Sequence, residues 1–422
     1  MSSNSKPLIL SWDTILLLAL GSSHLWFNKA SSAILIFLMM VYVFLDILFP
    51  NIPDKPLLTP KHKVIYLTKL SIILFSVMFA ALLPTGHAIL QRQINGPATH
   101  ANDGLIQIEV ATEFLLEGKN PYTESYEQTI LADWEGGEPP FQNIPGILQH
   151  NAYLPFTFIL SIPFYLIGHS ILGWYDQRLL YFVSYMLALI LLPLLVKGKR
   201  QQLILIILVG LNFLFVFFLA DGRNDIIILL GLILVTILIS RKHNKLSLFI
   251  LGLTLMLKHQ AWFFLPFFLL HTLPKSVTKS SIKHWLLSLW PLCLSVFVVL
   301  VPFLIWDAHA LVEDTIYYIL GVSEHSFPIR GVGFSYFLAS TGLLPSNDAS
   351  FPFLLISLIF GLPVFIYLLF RQYRNKTLSN MWFGFALFAL VFQFFLRFFN
   401  DHYFIFTLQC LFIASFIDVD EA

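Results

Sequence analysis

The sequence predicts an all-α, polytopic integral membrane protein, and three observations carry that prediction. First, hydrophobic residues make up 57% of the 422, charged residues only 12%, and the mean hydropathy is +0.78. A soluble domain has about a quarter of its residues charged, so this chain cannot cover a water-facing surface. Second, apolar runs of the ~20 residues needed to cross a hydrocarbon core recur along the chain. Third, lysines and arginines cluster in alternate loops, the pattern of cytoplasmic sidedness. The net charge of +1 gives no reason to expect a nucleic-acid partner.

The first two runs, near 8–27 and 30–49, form an N-terminal transmembrane hairpin that ends at residue 63. Lys6 before an apolar run imitates a signal peptide, but Asp13 interrupts the run and no Ala-x-Ala-like site follows it. An uncleaved first span is therefore expected. Further runs lie near 64–90, 178–196, 201–219, 225–240, 285–305, 351–370, 380–399 and 402–417. Leu246–Leu273 is also apolar but is cut by Lys258-His259-Gln260. The whole amounts to about 11–13 transmembrane helices. Cys293 and Cys410 both fall inside apolar runs and read as small packing residues rather than a disulfide or metal pair.

Basic clusters place the loops at Lys55, Lys61 and Lys63, at Lys197–Arg200, at Arg241–Lys245, at Lys275–Lys283 and at Arg371–Lys376 on the cytoplasmic side. The loops 91–150 and 306–350 and the turns at Asp221–Asp225 and Arg397–His402 then face outward. The first of these is acidic: Asp103, Glu109, Glu113, Glu117, Glu124, Glu127, Asp133, Glu135 and Glu138 face only Arg92 and Lys119. For the alternation to hold, Leu246–Leu273 must enter and return as two short helices meeting at Lys258. A break at that depth is tolerated only where it lines a wet or protein-filled cavity. One run breaks the alternation. Tyr153–Ile167 starts outside, so it is either re-entrant or Lys197–Arg200 is an exception to the charge rule.

The outward polar elements share one face, the layout of a site fed from the lipid and from water. An Asp in the first large external loop (Asp103), followed by an acidic helix ending in Leu-x-Gly-x-Asn-Pro-Tyr (Leu116 to Tyr122), resembles the GT-C membrane glycosyltransferases. The likeness is nearest to the glycosyltransferase family 87 mannosyltransferases. His150-Asn-Ala-Tyr-Leu-Pro155 is similar to their entry motif, and Gly222-Arg-Asn-Asp225 to their short external turn. Gly252-Leu-x-Leu-x-Leu-Lys258-x-Gln260, leading to Leu265-Pro266, resembles their lysine-bearing broken segment. The likeness runs from Asp103 to Pro266 and fades beyond. Each motif is short, so their order and sidedness carry the weight.

The resemblance implies a GT-C-like catalytic module over 64–422 that takes a hexose, mannose in that family, from a polyprenyl-phosphate donor. The sugar goes with inversion to a lipid or glycan acceptor hydroxyl at the outer face of the bilayer. Such chemistry needs a carboxylate base and fixed cations on the leaving phosphate. Protein cations can suffice for a lipid monophosphate, so no cofactor is expected and no metal cluster is visible in the sequence. Asp103 is the expected catalytic base, with a helix cap as its structural alternative. Lys258 is either a phosphate ligand or one half of an ion pair with Asp225. Arg223, Asp225, His150, Tyr153, Arg330 and His402 are expected substrate contacts, although turn, cap and membrane-anchor roles fit the same residue types. Arg397 is a weaker candidate of the same kind. Glu109, Glu113 and Glu117 recur at helical spacing and read as a solvated face. Asp46 and Lys69 lie within spans but close enough to their ends to snorkel.

The rival reading is a transporter or lipid flippase. Transporters place broken helices at corresponding positions of two halves, and this chain shows one broken segment without a second copy. Orientation can be tested directly by single-cysteine labelling at Ser125 and Asn375 in a background lacking Cys293 and Cys410. An impermeant reagent should reach the first only from outside and the second only from inside. Labelling of both from one side would refute the topology.

Overall fold

The computed structural model describes residues 10–25, 29–49, 59–134, 145–347 and 349–419. Lys6, Lys55, Glu135 and Glu138 lie outside the described residues. The described residues are mostly helical. It begins with α1 (Trp12–Ser22), α2 (Lys29–Leu48), α3 (Pro60–Asn95), α4 (Asp103–Leu116), α5 (Pro145–Gln149), α6 (Pro155–Leu172) and α7 (Arg178–Leu191). It continues with α8 (Lys199–Gly210), α9 (Phe213–Asp221), α10 (Asp225–Ser240), α11 (Asn244–Leu255), α12 (Leu265–Thr272), α13 (Lys279–Ser288) and α14 (Trp290–Val312). Beyond these come α15 (Tyr318–Leu320), β1 (Arg330–Gly331), α16 (Phe334–Ser340), α17 (Phe353–Arg374), α18 (Leu378–Phe394), β2 (Phe398–Phe399) and α19 (Asp401–Phe416).

By length and composition, five helices among the described residues could cross a membrane: Pro60–Asn95, Pro155–Leu172, Arg178–Leu195, Lys279–Leu320 and Phe353–Arg374. The pair α8 and α9, bent by 48°, makes a sixth if it acts as one span. Cys410 is buried, but Cys293 is exposed on α14, so the expectation of two core cysteines holds for one of them. Phenylalanines supply much of the interior, as in the edge-to-face group of Phe264 with Trp382 and Phe385.

The helices run between two ends of the bundle. At one end lie the basic clusters, tied together by Lys376 donating to the Leu273 carbonyl, by the Lys197 amide donating to Asp418, and by Lys199 over the Tyr66 ring. At the other end gather α4, the turn at Asp221–Asp225, the break at Lys258, the 306–350 segment and Asn400–His402. The apolar stretch Leu246–Leu273 does turn back at Met256–Lys258, as α11 followed by a 3₁₀ segment (His259–Phe264) and α12. Backbone groups freed at the break find partners. The Met256 carbonyl accepts from the Phe156 amide, the Leu257 carbonyl from the Thr157 hydroxyl, and the Leu255 carbonyl from the Trp262 indole.

The same contacts settle the position of Tyr153–Ile167. The N-terminus of α6 is bonded to the break at 256–257, while just past its C-terminus Asp176 pairs with Arg92 at the end of α3. Both ends of α6 therefore belong to one end of the bundle. It lies along that end, and α7 starts there and runs to the basic end. Lys197–Arg200 lies at the same end of the bundle as the other basic clusters.

Two clusters of buried charge differ from what the sequence suggests. Lys69 does not snorkel. It is 1% exposed and pairs with Asp46 at 2.6 Å and with Asp13 at 3.2 Å, and Tyr42 donates to Asp13 at 2.6 Å. This cluster stitches the N-terminal hairpin to α3. Glu109 is likewise not on a solvated face. At 5% exposure it takes both arms of the Arg92 guanidinium, at 2.9 and 2.7 Å, and the Gln177 amide at 2.7 Å. Arg92 also reaches Asp176 at 3.0 Å, and Asp176 takes two bonds from the Arg178 guanidinium. Glu113 accepts from the Tyr165 hydroxyl, and only Glu117 is exposed, paired with Lys119.

Removing one partner from a buried ion pair leaves an uncompensated charge and costs about 3–5 kcal/mol. Arg92→Met should therefore lower the thermal unfolding temperature of the purified protein strongly. Arg92→Met/Glu109→Gln should recover a large part of that loss, because no unpaired charge then remains at Glu109. Equal melting temperatures for wild type and Arg92→Met would refute the role given to this network.

Candidate functional site

At the polar end a cavity of about 150 Å³ opens between α4, the 222–224 turn, the Lys258 break, the 318–330 segment and the start of α19. Its wall includes Asp103, Tyr153, Arg223, Lys258, Arg330 and His402. These side chains come from six separate stretches of the chain.

Asp103 sits in the first turn of α4 and is 7% exposed. It is not the cap of its helix. Asn102 takes that role, its side-chain oxygen accepting from the Leu105 amide at 3.0 Å while its amide group donates to the Asp221 carbonyl at 2.6 Å. The Asp103 carboxylate is thus left to the cavity. Among the described residues its partners are two guanidiniums, Arg223 at 3.9 Å and Arg330 at 3.8 Å. Both distances exceed a direct hydrogen bond. Asp103 also lies in the first turn of α4, at the positive end of the helix dipole.

Arg223 is aimed by its own turn. Its Nε donates to Asp221 at 2.9 Å, and Gly222 before it adopts φ +95°, the left-handed region that glycine enters freely. A Cβ at Gly222 would also overlap Leu105, so the turn can lie flat on α4 only with glycine there. Arg330 is aimed by tertiary structure. The strands β1 and β2 pair in parallel with Arg330 opposite Phe398, and the guanidinium stacks over Phe327 at 4.4 Å. Arg397 lines no part of the cavity. Its guanidinium donates to the carbonyls of Phe327, Ala349 and Asn347, which fastens the segment that carries Arg330.

Lys258 makes the ion pair with Asp225 that the sequence allowed, and it also lines the cavity. Its ammonium donates to Asp225 at 2.8 Å and to Asn224 at 3.0 Å, lies 4.7 Å from the Tyr403 ring centre, and lines the cavity. His402 completes the group, with Nε2 at 3.8 Å from the second Asp225 oxygen. Asp225 is turned toward Lys258 and His402 and is absent from the cavity lining, although the sequence suggested a substrate contact.

Tyr153 packs over Gly104 so closely that a Cβ there would overlap its hydroxyl. Burial, and then the Asp103 charge, push the Tyr153 phenol well above its ordinary value, so it stays a proton donor. His150 stands one layer back. Its ring bonds Asp314 at 2.7 Å, stacks on Tyr318 with ring centres 4.7 Å apart, and is absent from the cavity lining, where Tyr318 stands instead. The His150 position supports the wall rather than forming it.

Several lining residues carried no signal in the sequence. Gln107, one turn after Asp103, donates to the carbonyls of Ile147 and His150. Tyr318, Phe327 and Tyr403 supply aromatic wall, and Gln393 faces Gln260 of the already conspicuous Lys258 break at 3.4 Å. Helical spacing from Asp103 could have found Gln107. The others lie in segments whose apolar residues look like any others here.

The cavity therefore brings one carboxylate without a direct hydrogen bond among the described residues together with three cations, aromatic walls and a few neutral donors. Comparison of the chain with protein-family models, with curated proteins and with solved structures finds no match.

The Lys258–Asp225 contact can be tested by stability alone. Lys258→Met leaves Asp225 without its near cation and should destabilise by about 3–5 kcal/mol, whereas Lys258→Met/Asp225→Asn should return close to the wild-type unfolding midpoint. No difference between the single and the double variant would show that the two charges are not coupled.

Proposed function

We propose that the protein is a multi-pass membrane glycosyltransferase of GT-C-like architecture, transferring a hexose from a polyprenyl-phosphate donor to a lipid or glycan acceptor hydroxyl. In this reading α1, α2, α3, α7, the α8–α9 pair, α10, α11, the 259–272 segment, α14, α17, α18 and α19 cross the bilayer, within the about 11–13 spans expected from length and hydropathy. The basic end is cytoplasmic, and α6 lies at the outer interface. The observation that carries the proposal is the buried Asp103 carboxylate, set between Arg223 and Arg330 at distances too long for direct hydrogen bonds, in a cavity that Lys258 shares.

The roles follow from the charges. The acceptor hydroxyl approaches Asp103, which takes its proton as the hydroxyl oxygen attacks the anomeric carbon from the face opposite the phosphate. The bond between the anomeric carbon and the phosphate oxygen breaks, and the electron pair leaves with the polyprenyl phosphate. Arg223, Arg330 and Lys258 are the cations available to stabilise that growing charge. Tyr153 and His402 are the expected donors to sugar hydroxyls. The polar groups gather at one end of the helices rather than at their midpoints, which supports the enzyme over the transporter or flippase reading.

Asp103→Asn keeps the size of the side chain and removes the base, and because Asn102 caps α4 the helix should not suffer. Normal expression and donor binding are expected, with transfer from a radiolabelled polyprenyl-phosphate sugar reduced by about 10²-fold or more in lipid-reconstituted protein. Near-wild-type turnover of the variant would overturn the assignment of Asp103 as base. In the same assay the stable Lys258→Met/Asp225→Asn protein should remain inactive, and recovery of transfer would make Lys258 a purely structural residue.

A further inference from the structure

A second cavity, of about 270 Å³, lies at the same end of the bundle, between the end of α3, α4 and the α6–α7 connection. It is separate from the Asp103 cavity, and no residue lines both. Its wall holds three aromatic side chains, Tyr165, Trp174 and Tyr175, together with His169, Gln93 and the carboxylate of Glu113. The Tyr165 and His169 rings lie 4.3 Å apart and the Tyr165 and Tyr175 rings 5.4 Å apart, so these three rings form one surface, and Trp174 lines the same cavity.

The charges decide the ligand class. Arg92 and Glu109 also touch this cavity, but both guanidinium arms and both carboxylate oxygens are already committed, to each other and to Asp176, Pro97 and Gln177. Among the described residues of this wall, a phosphate group would find no lysine or arginine that is not already paired. Glu113 accepts one hydrogen bond, 2.9 Å from the Tyr165 hydroxyl, and retains acceptor capacity, while the Gln93 amide can donate and accept. Aromatic faces beside neutral donors and a hydroxyl-seeking carboxylate suit a ligand with C–H faces and several hydroxyls. The volume approaches the lower end of small-molecule pockets, about 300 Å³, which is room for a ring-sized group.

We propose that this cavity is a glycan-binding subsite that holds one neutral hexose residue, stacked on Trp174 and Tyr165 and hydrogen-bonded to Glu113. It goes beyond the transfer chemistry assigned to Asp103 and shares no residue with it. The ligand could be a free oligosaccharide or the sugar of a glycolipid, since both present the same ring.

The test is saturation-transfer NMR on the purified full-length protein in nanodiscs, with methyl α-mannoside and methyl α-glucoside as soluble probes. A second arm displays the same hexose on a glycolipid in the disc and reads displacement of the soluble probe. Wild type and Ser125→Ala, an exposed position that lines neither cavity, should give equal saturation transfer. Glu113→Gln and, independently, Trp174→Leu should reduce it at least five-fold, with melting temperatures confirming that each variant is folded. Displacement only by glycolipid, or equally by soluble oligosaccharide, supports the subsite and identifies its source. Signal that survives both cavity variants, signal lost in Ser125→Ala, or binding of tetramethylammonium in place of either hexoside would each overturn the proposal.

Discussion

A balanced set of buried charges at the end of α3 organises the polar end of this protein. Arg92 and Arg178 stand between Glu109 and Asp176, two cations and two anions, all at most 5% exposed. None could be buried alone, because an unpaired charge in so apolar a surrounding is far too costly. Together they fix four pieces of chain: the end of α3, the middle of α4, the start of α7 and, through Arg178 donating to the His100 and Ala220 carbonyls, the end of α9. Asp103 lies under two turns before Glu109 on the same helix. Its place in the cavity is therefore set by an ion pair on another face of α4.

From that anchor the rest of the site is assembled by short-range devices. Asn102 caps α4 and binds the 221 carbonyl, which presses the Gly222 turn onto the helix and brings Arg223 toward Asp103. Arg397 fastens the 327–349 segment, and the two-residue strand pair brings in Arg330 from the other side. The N-terminus of α6 caps the carbonyls exposed by the break at 256–258, so Lys258 can sit at a helix interruption without orphaned backbone around it. The cations thus reach the cavity through three unrelated constructions, and loosening any one of them would leave the other two in place.

The same anchor separates two environments on one short helix. The face of α4 that bears Asp103 and Gln107 looks into a cavity with cations, while the Glu113 side looks into one whose cation is already spoken for. Among the described residues the arginine of the second cavity is paired, and aromatic side chains supply much of the remaining wall. The two sides of this 14-residue helix therefore face differently compensated charge.

The sequence by itself determined the all-α class, the positions of the apolar helices, the clustering of basic loops at one end, and the break at Lys258. These follow from hydropathy and charge patterns that are local along the chain. It also marked Asp103, Arg223, Lys258, Arg330, Tyr153 and His402, because polar residues in so apolar a chain are few and conspicuous. The tertiary structure decided what each carboxylate does. Asp103 and Glu109 have the same chemistry six residues apart, and only the packing of α3 and α7 gives one a buried guanidinium and the other an open cavity. It placed α6 along one end rather than across the bundle, because Thr157 at its start and Asp176 just past its end bond to partners 100 and 84 residues away in sequence. It also moved His150 behind Tyr318 and buried Lys69 between two aspartates. Long-range pairing of charge is invisible to any local pattern, since the cost it avoids exists only after the chain has folded.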